Sequence, residues 1–388
     1  MRPFAVQHDI YNDAPKRPMQ LAIFLSSLGH IRGGLETIAT HFAHGLTELG
    51  HAVTCVGGGW PGRSLPQDLR TLPLNWLQIP FLPPDLRIWS GSSSRSRARR
   101  LKAQSLSFSA ACRFHPRARR LLATADVTLS LLEIETVYLS RWRAARHRPH
   151  VSYFPGIIDR TWIKRDRSVL RLAISRTLAE TTADLRVDGV VSPGIDQSWL
   201  ERPYEVRQDA ETLFFAGRLE ANKGVWELMH IFEMLVAGRP ELRLRLAGEG
   251  PLRRTLQAWV AQRDLSERVT FLGAVPATHI QSELSAADLF LFPTHYESFG
   301  LAVVEAQAAG VPVACSDLPV MQEVAGGAAC LLPPRQPDRW VSGLRALLDD
   351  VEARAQLSHA GRRNALRFTW ARAVENLERY LLMACEQN

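Results

Sequence analysis

The sequence predicts an α/β protein made of two open parallel sheets, built one after the other, that face each other across a ligand cleft. Three observations carry this. Short apolar runs suited to buried strands alternate with stretches of helical period. Glycine-containing loops join strand to helix. The pattern resets after Pro193, dividing the 388 residues into two halves of ordinary domain size.

The first half opens with the strand Gln20–Leu25 (QLAIFL), the loop SSLGHIRGG, a helix over Leu35–Leu49 and a second strand, Ala52–Val56. Further strands are predicted at Asn75–Ile79, Asp126–Leu132, Val151–Phe154, Leu172–Ile174 and Gly189–Val191. From Gly57 to Ser96 the chain is rich in Gly, Pro and Ser around Trp60, Trp76 and Trp89, which predicts surface loops. The Ser/Arg tract 90–100 reads as a mobile loop, and the basic stretch after it, to about Leu122, as a helix. Residues 1–18 lack the apolar core of a signal peptide and read as a loose arm.

Residues 196–211 are polar and suit a linker or domain edge. A new series follows: strands at Thr212–Phe215, Leu242–Ala247, Val269–Leu272, Asp288–Phe292 and Val313–Cys315. Helices are predicted at Gly224–Ala237, Leu252–Arg263, Ile280–Ala286 and Gly300–Ala309. A last helix covers Trp370–Glu386. The expected division is 1–195, 196–370, and a terminal helix, 371–388, packing back toward the first half.

Composition bounds the function. With 46% hydrophobic and 22% charged residues the chain is not disordered as a whole, and it has no apolar run of the ~18 residues a membrane span needs. The five cysteines are widely spaced and form no metal-ligand cluster with His, so buried free thiols in a reducing cytoplasm are expected, and no metal. The net charge of +8 favours polyanionic partners. Much of the excess falls at Arg95, Arg97, Arg99, Arg100, Lys102, Arg113, Arg117, Arg119 and Arg120. No nucleic-acid-binding motif accompanies it, so nucleic acid is not an expected partner.

Four loops carry candidate chemistry. After the strand at Phe215, Gly217 permits close backbone approach. Arg218 and Lys223 offer a planar fork of donors and a mobile point charge, a pair able to hold a diphosphate. Spacing alone favours an ordinary solvated loop. Gly248-Glu249-Gly250-Pro251 forms a strand-to-helix turn where backbone could near a ligand; alone, it reads as a tight turn. In Phe292–Leu301, Glu297 lies in the loop and Ser298 is placed to cap the next helix. The amides of Phe299, Gly300 and Leu301 then face an anion in the cleft. Glu305, eight residues beyond Glu297, suits ribose hydroxyls, though two Glu at that spacing are common by chance. Gly33 and Gly34 occupy the matching loop of the first half, where a flexible turn is the plain reading.

Taken in order, AGRL…KG, GEGP, AADLFLFPT and ESFGLAVVEAQAAGVPV over residues 212–334 resemble the retaining GT-B glycosyltransferases of family 4. GGLE and Val190–Asp196 extend the likeness. The resemblance implies two Rossmann-like domains. It implies Arg218 and Lys223 on the donor diphosphate and Glu305 on the ribose. Glu297, with the amides of Phe299, Gly300 and Leu301, would position the donor sugar and its phosphate. Gly33 and Gly34 would face the phosphate from the other domain, and Val275 would lie beside the base. It also implies a nucleotide-sugar donor, no metal or other cofactor, and a saccharide, glycolipid or lipid-linked acceptor. Many relatives carry a His just after an internal strand of the N-terminal domain. Here the comparable stretch is HVSYFPG, in which His150 precedes the strand, leaving Tyr153 or the loop Phe154–Gly156 in that place. The basic stretch 95–120 suggests contact with an anionic membrane at the inner face of the cytoplasmic membrane, or simply an Arg-rich solvated helix. The competing classes are a nucleotide-sugar epimerase and a catalytically silent subunit.

Overall fold

The structure is a computed structural model that describes residues 17–28, 34–59, 74–80, 105–156, 164–182 and 184–387. Gly33, Trp60, Trp89, the arm 1–16 and the basic residues Arg95 to Lys102 lie outside the described residues.

The first sheet has seven strands: β1 (Gln20–Leu25), β2 (Ala52–Gly59), β3 (Asn75–Pro80), β4 (Val127–Ser130), β5 (His150–Phe154), β6 (Leu170–Ala173) and β7 (Gly189–Val190). They lie in the order β3-β2-β1-β4-β5-β6-β7, and every pairing is parallel. The register puts Gln20 opposite Ala52 and Leu21 opposite Val127. Parallel strands covered on both faces need continuous apolar runs, which is why Leu21 to Leu25 are all buried. The helices here are α1 (Gly34–Glu48), α2 (Pro116–Thr124), α3 (Glu133–Ala144) and α4 (Arg176–Thr181).

The second sheet has six strands: β8 (Thr212–Ala216), β9 (Arg243–Ala247), β10 (Val269–Gly273), β11 (Leu289–Phe292), β12 (Val313–Ser316) and β13 (Cys330–Leu332). Their order, β10-β9-β8-β11-β12-β13, repeats that of the first six strands. In each sheet the winding direction reverses between the first and fourth strands, β1/β4 and β8/β11. Such crevices beyond the carboxyl ends of the strands are where open α/β sheets take ligands. The helices are α5 (Ser198–Glu201), α6 (Val225–Val236), α7 (Arg253–Gln262), α8 (Ala277–Ser285), α9 (Leu301–Ala308), α10 (Pro319–Ala325), α11 (Pro337–Asp349), α12 (Val351–Ala365) and α13 (Trp370–Glu386).

Several expectations are corrected. The basic helix to about Leu122 is two helices: helical residues 105–114 stop before His115, and Pro116 opens α2. Proline has no N–H for the preceding turn, so it breaks a helix interior but is tolerated at a first turn. The strand at 126–132 shortens to Val127–Ser130, and Asp126 instead accepts the Gln20 amide at 2.8 Å. The strand near Leu172 runs Leu170–Ala173. The polar 196–211 segment contains α5. Beyond Cys315 the structure adds β13 and α10 to α12 before α13.

Two crossings join the halves, and Ile195 pairs with Thr369 between them. After the second crossing α13 lies on the first half. A Cβ on Gly45 of α1 would come 2.5 Å from Val374, and one on Gly189 2.2 Å from the Tyr380 ring. Trp370 stacks on His41, with ring centroids 4.1 Å apart. The buried His51 Nε2 meets the Glu378 carboxylate at 3.0 Å while His51 Nδ1 accepts the Met19 amide.

Candidate active site

The carboxyl ends of β8, β9 and β10 are joined backbone to backbone. Gly217 N donates to Ala247 O, Leu219 N to Glu249 O, and Gly248 N to Gly273 O, at 2.7–3.0 Å. Gly248 has φ +142°, and a Cβ there would sit 1.8 Å from Gly217 O. Only glycine lets these turns approach so closely. Gly224 ends the turn carrying Lys223 with φ +65°, and a Cβ on it would lie 1.8 Å from Pro293 O. Asn222 O accepts both His295 N at 2.9 Å and Thr294 Oγ1 at 3.1 Å. The cationic loop is therefore docked onto the loop that holds Glu297.

Docking decides the charge pairs. Lys223 Nζ pairs with the Glu297 carboxylate, the two side chains 16% and 11% exposed, and lies 5.7 Å from the Phe292 ring centroid. Arg218 is half exposed and pairs instead with Glu220 at 3.1 Å. The structure thus brings Lys223 and Glu297 together and leaves the Arg218 guanidinium at the rim.

Ser298 does not cap α9. The N-cap is Gly300, at φ +90°, with no side-chain cap, and the Ser298 hydroxyl lies 3.4 Å from the Tyr296 hydroxyl. The left-handed Gly300 turns the chain into the helix, displacing Ser298 from the capping position. The Phe299 ring is buried edge-on against Phe368, with centroids 5.3 Å apart, so this residue offers the loop its backbone. Leu301 and Val275 are half-buried and pack on the core. Glu305, in the second turn of α9, has no hydrogen-bond or ion-pair partner among the described residues, and burial pushes its carboxyl up to about 7.

In the first half, Gly34 is exposed at the start of α1. His150 is not at the cleft. Its Nδ1 and Nε2 contact Thr128 Oγ1 at 2.7 Å and Ser130 Oγ at 2.9 Å inside the sheet, and burial pushes its pKa down to about 3. Tyr153 is consumed too, donating its buried hydroxyl to Val191 O at 2.9 Å. What nears the second half is Gly156, where a Cβ would lie 3.2 Å from Ser298 Oγ.

Sequence reasoning passed over a carboxylate pair at the end of β1. Glu36 accepts the Ser27 hydroxyl. Glu135, fully buried, accepts Ser26 N at 3.0 Å and Ser105 Oγ at 3.3 Å, and burial, aided by the Glu36 charge, holds its pKa near 7. In sequence they are ordinary helix carboxylates; only the chain crossing from β1 to β4 brings them together. Among the described residues no cluster of His, Cys, Asp and Glu could hold a metal, and no helix is long and apolar enough to cross a membrane.

Known structures share this architecture over nearly the whole chain. Sucrose-phosphate synthase of Thermosynechococcus elongatus matches with a TM-score of 0.75 at 18% identity, covering 95% of this chain and 100% of that one. HepE of Anabaena, solved in complex with UDP and glucose, matches with a TM-score of 0.71 at 17% identity, covering 94% and 99%. The fold is GT-B. Residues 198–364, most of the second GT-B half, match the family described as glycosyl transferases group 1. A D-inositol 3-phosphate glycosyltransferase of Thermobispora bispora is 30% identical over 217 residues, 51% of each chain. The glycogen synthase of Mycobacterium tuberculosis is 30% identical over 237 residues, 56% of this chain and 55% of its own. The chain thus spans about half the length of these relatives.

Proposed function

We propose that this protein is a retaining glycosyltransferase of family 4 that moves a sugar from a nucleotide diphosphate to an acceptor hydroxyl without a resident metal. The observation that carries the reading is the docking of the Lys223 turn onto the Glu297 loop at the β8/β11 switch point. It supports a site in which Arg218, Lys223 and the amides of Phe299, Gly300 and Leu301 meet a diphosphate. Glu297 faces the sugar and Glu305 the ribose, Gly217 and Gly248 let the backbone approach, Val275 borders the base, and Gly33 and Gly34 close from the other half.

In the reaction the anomeric C–O bond breaks and its electron pair leaves with the diphosphate, whose charge Arg218 and Lys223 stabilise. The acceptor oxygen attacks the same face, and its proton passes to the leaving phosphate. Closing the halves excludes water. An epimerase or a silent subunit fits less well, because the family match falls on transferases and the charged groups of the site are all present.

The acceptor belongs to saccharide, glycolipid or polysaccharide synthesis at an anionic membrane, on this reading. A pocket of about 470 Å³ on the α2/α3 flank supports it, lined by Arg113, Arg141, Arg146, Tyr138 and Trp142, and Phe114, next to Arg113 in the chain, is 75% exposed. Sedimentation with phosphatidylglycerol vesicles at low salt tests it, and a protein that stays in the supernatant refutes it.

The donor reading is tested by thermal shift with UDP, GDP and ADP and their sugars, on wild type and on Arg218→Ala with Lys223→Ala. One nucleotide should stabilise wild type and not the variant. No shift with any of them in folded protein refutes the reading.

A further inference from the structure

The two halves touch through a clasp made by helix α4. This helix begins just after β6 and has six residues, Arg176–Thr181. The first amides of any α-helix have no partner within it. Here the amides of Arg176 and Thr177 both donate to the Glu323 carboxylate of the second half, at 2.8 and 2.7 Å, and Thr177 Oγ1 adds a third bond at 2.7 Å. Ser175, the N-cap, accepts Leu178 N and donates its own hydroxyl to Ser298 O at 2.8 Å.

Both attachments lead to the same loop. Ser298 stands between Glu297 and the turn into α9. Glu323 lies on α10, and Met321 of that helix reaches Gly300, where a Cβ would come 2.5 Å from its terminal methyl. The N-terminal end of α4 thus holds the loop's backbone directly through Ser175 and, through Arg176 and Thr177, the helix that backs it.

We infer that Ser175 and Glu323 are positioning residues: they lock the halves together and set the Glu297–Leu301 loop in its working orientation when donor is bound. Neither touches the reacting atoms. The inference rests on the donor site proposed above. Three donors meet one carboxylate, and hydrogen bonds to an ionised group are stronger than neutral ones, so its removal loosens the clasp more than loss of a neutral contact would.

The test uses Glu323→Ala, Glu323→Gln and Ser175→Ala in the full chain, with small-angle scattering, UDP calorimetry, and parallel assays of sugar transfer and donor hydrolysis. UDP affinity should fall less than transfer, by no more than about threefold, because neither Ser175 nor Glu323 touches Arg218 or Lys223, the cations of the diphosphate site. Transfer kcat should fall roughly ten- to a hundredfold, with a larger share of donor hydrolysed. The radius of gyration with UDP should rise toward an open form. Glu323→Gln, which keeps acceptor oxygen but no charge, should fall between wild type and Glu323→Ala. Unchanged scattering and unchanged transfer-to-hydrolysis ratio in folded Glu323→Ala would overturn the clasp. If wild type binds no nucleotide, the donor reading fails by itself, and scattering of the unliganded variants still decides whether the clasp holds the halves together.

Discussion

Glu305 makes the donor site testable by proton counting. Burial raises its carboxyl to about 7, and no donor among the described residues offsets that. A ribose whose hydroxyls donate to it favours the ionised form and returns the pKa toward about 4.5. Binding therefore releases protons. At pH 7 about half of the unliganded molecules carry the proton, so each binding event releases roughly half a proton. Lowering the pH from 8 to 6 should weaken binding about tenfold, near 1.4 kcal/mol. The sign for stability is the opposite. A carboxyl with a raised folded-state pKa stabilises the fold below the ordinary carboxyl range and loses that contribution as pH rises through about 7, up to about 3 kcal/mol. Glu135 acts in the same direction. The unliganded melting temperature should thus fall from pH 6 to 8 while donor protection grows. The assay is calorimetry of UDP-glucose, whose diphosphate diester does not titrate near neutrality, in two buffers of different ionisation enthalpy. Glu305→Gln should abolish proton release and flatten the pH dependence. Tight binding with a buffer-independent enthalpy would refute the reasoning.

Gly224→Ala must move Pro293 O or leave its left-handed turn, so it should cost about 2–4 kcal/mol, read as a fall in melting temperature. Arg218→Ala, at a half-exposed pair, should leave stability within about 0.5 kcal/mol yet weaken, tenfold or more, binding of whichever of UDP, GDP and ADP stabilises wild type; equal losses in both would assign it to structure. Glu378→Ala leaves the buried His51 Nε2 without its acid and should destabilise by about 2–4 kcal/mol in urea, with Glu378→Gln close to wild type.

The strands of both sheets were legible because buried parallel strands are apolar without interruption, as in QLAIFL and LFLF. β13 was not, being three residues long and half exposed at one sheet edge. Gly217 and Gly248 could be read from their places after strands, and a Cβ on Gly248 would meet the Gly217 carbonyl, whereas Gly224, expected as the first helical residue, instead ends the Lys223 turn at φ +65°. Ser298 could not. Its position suits a cap, but the left-handed Gly300 two residues on takes that role. Partnerships between distant residues were out of reach for the same reason throughout. Lys223 and Glu297 are 74 residues apart, and Thr177 and Glu323 are 146 apart, so local spacing says nothing of either contact.

The Lys223–Glu297 pair also gives the site an order of events. In the unliganded protein each charge neutralises the other. A diphosphate that draws Lys223 to itself strips Glu297 of its partner, and the freed carboxylate then becomes an acceptor for sugar hydroxyls. On the proposed function, recognition of phosphate and of sugar would thereby be coupled through one lysine. Glu297→Gln should separate the two. It releases Lys223 in advance, so UDP should bind as well as to wild type or up to about threefold better. The added affinity from the sugar should drop by roughly ten- to a hundredfold, the worth of one or two hydrogen bonds to a charged group. Competition binding with UDP and UDP-glucose on both proteins measures the difference. Equal losses for the two ligands would mean that Glu297 serves the phosphate loop alone and that the sugar is held by other groups.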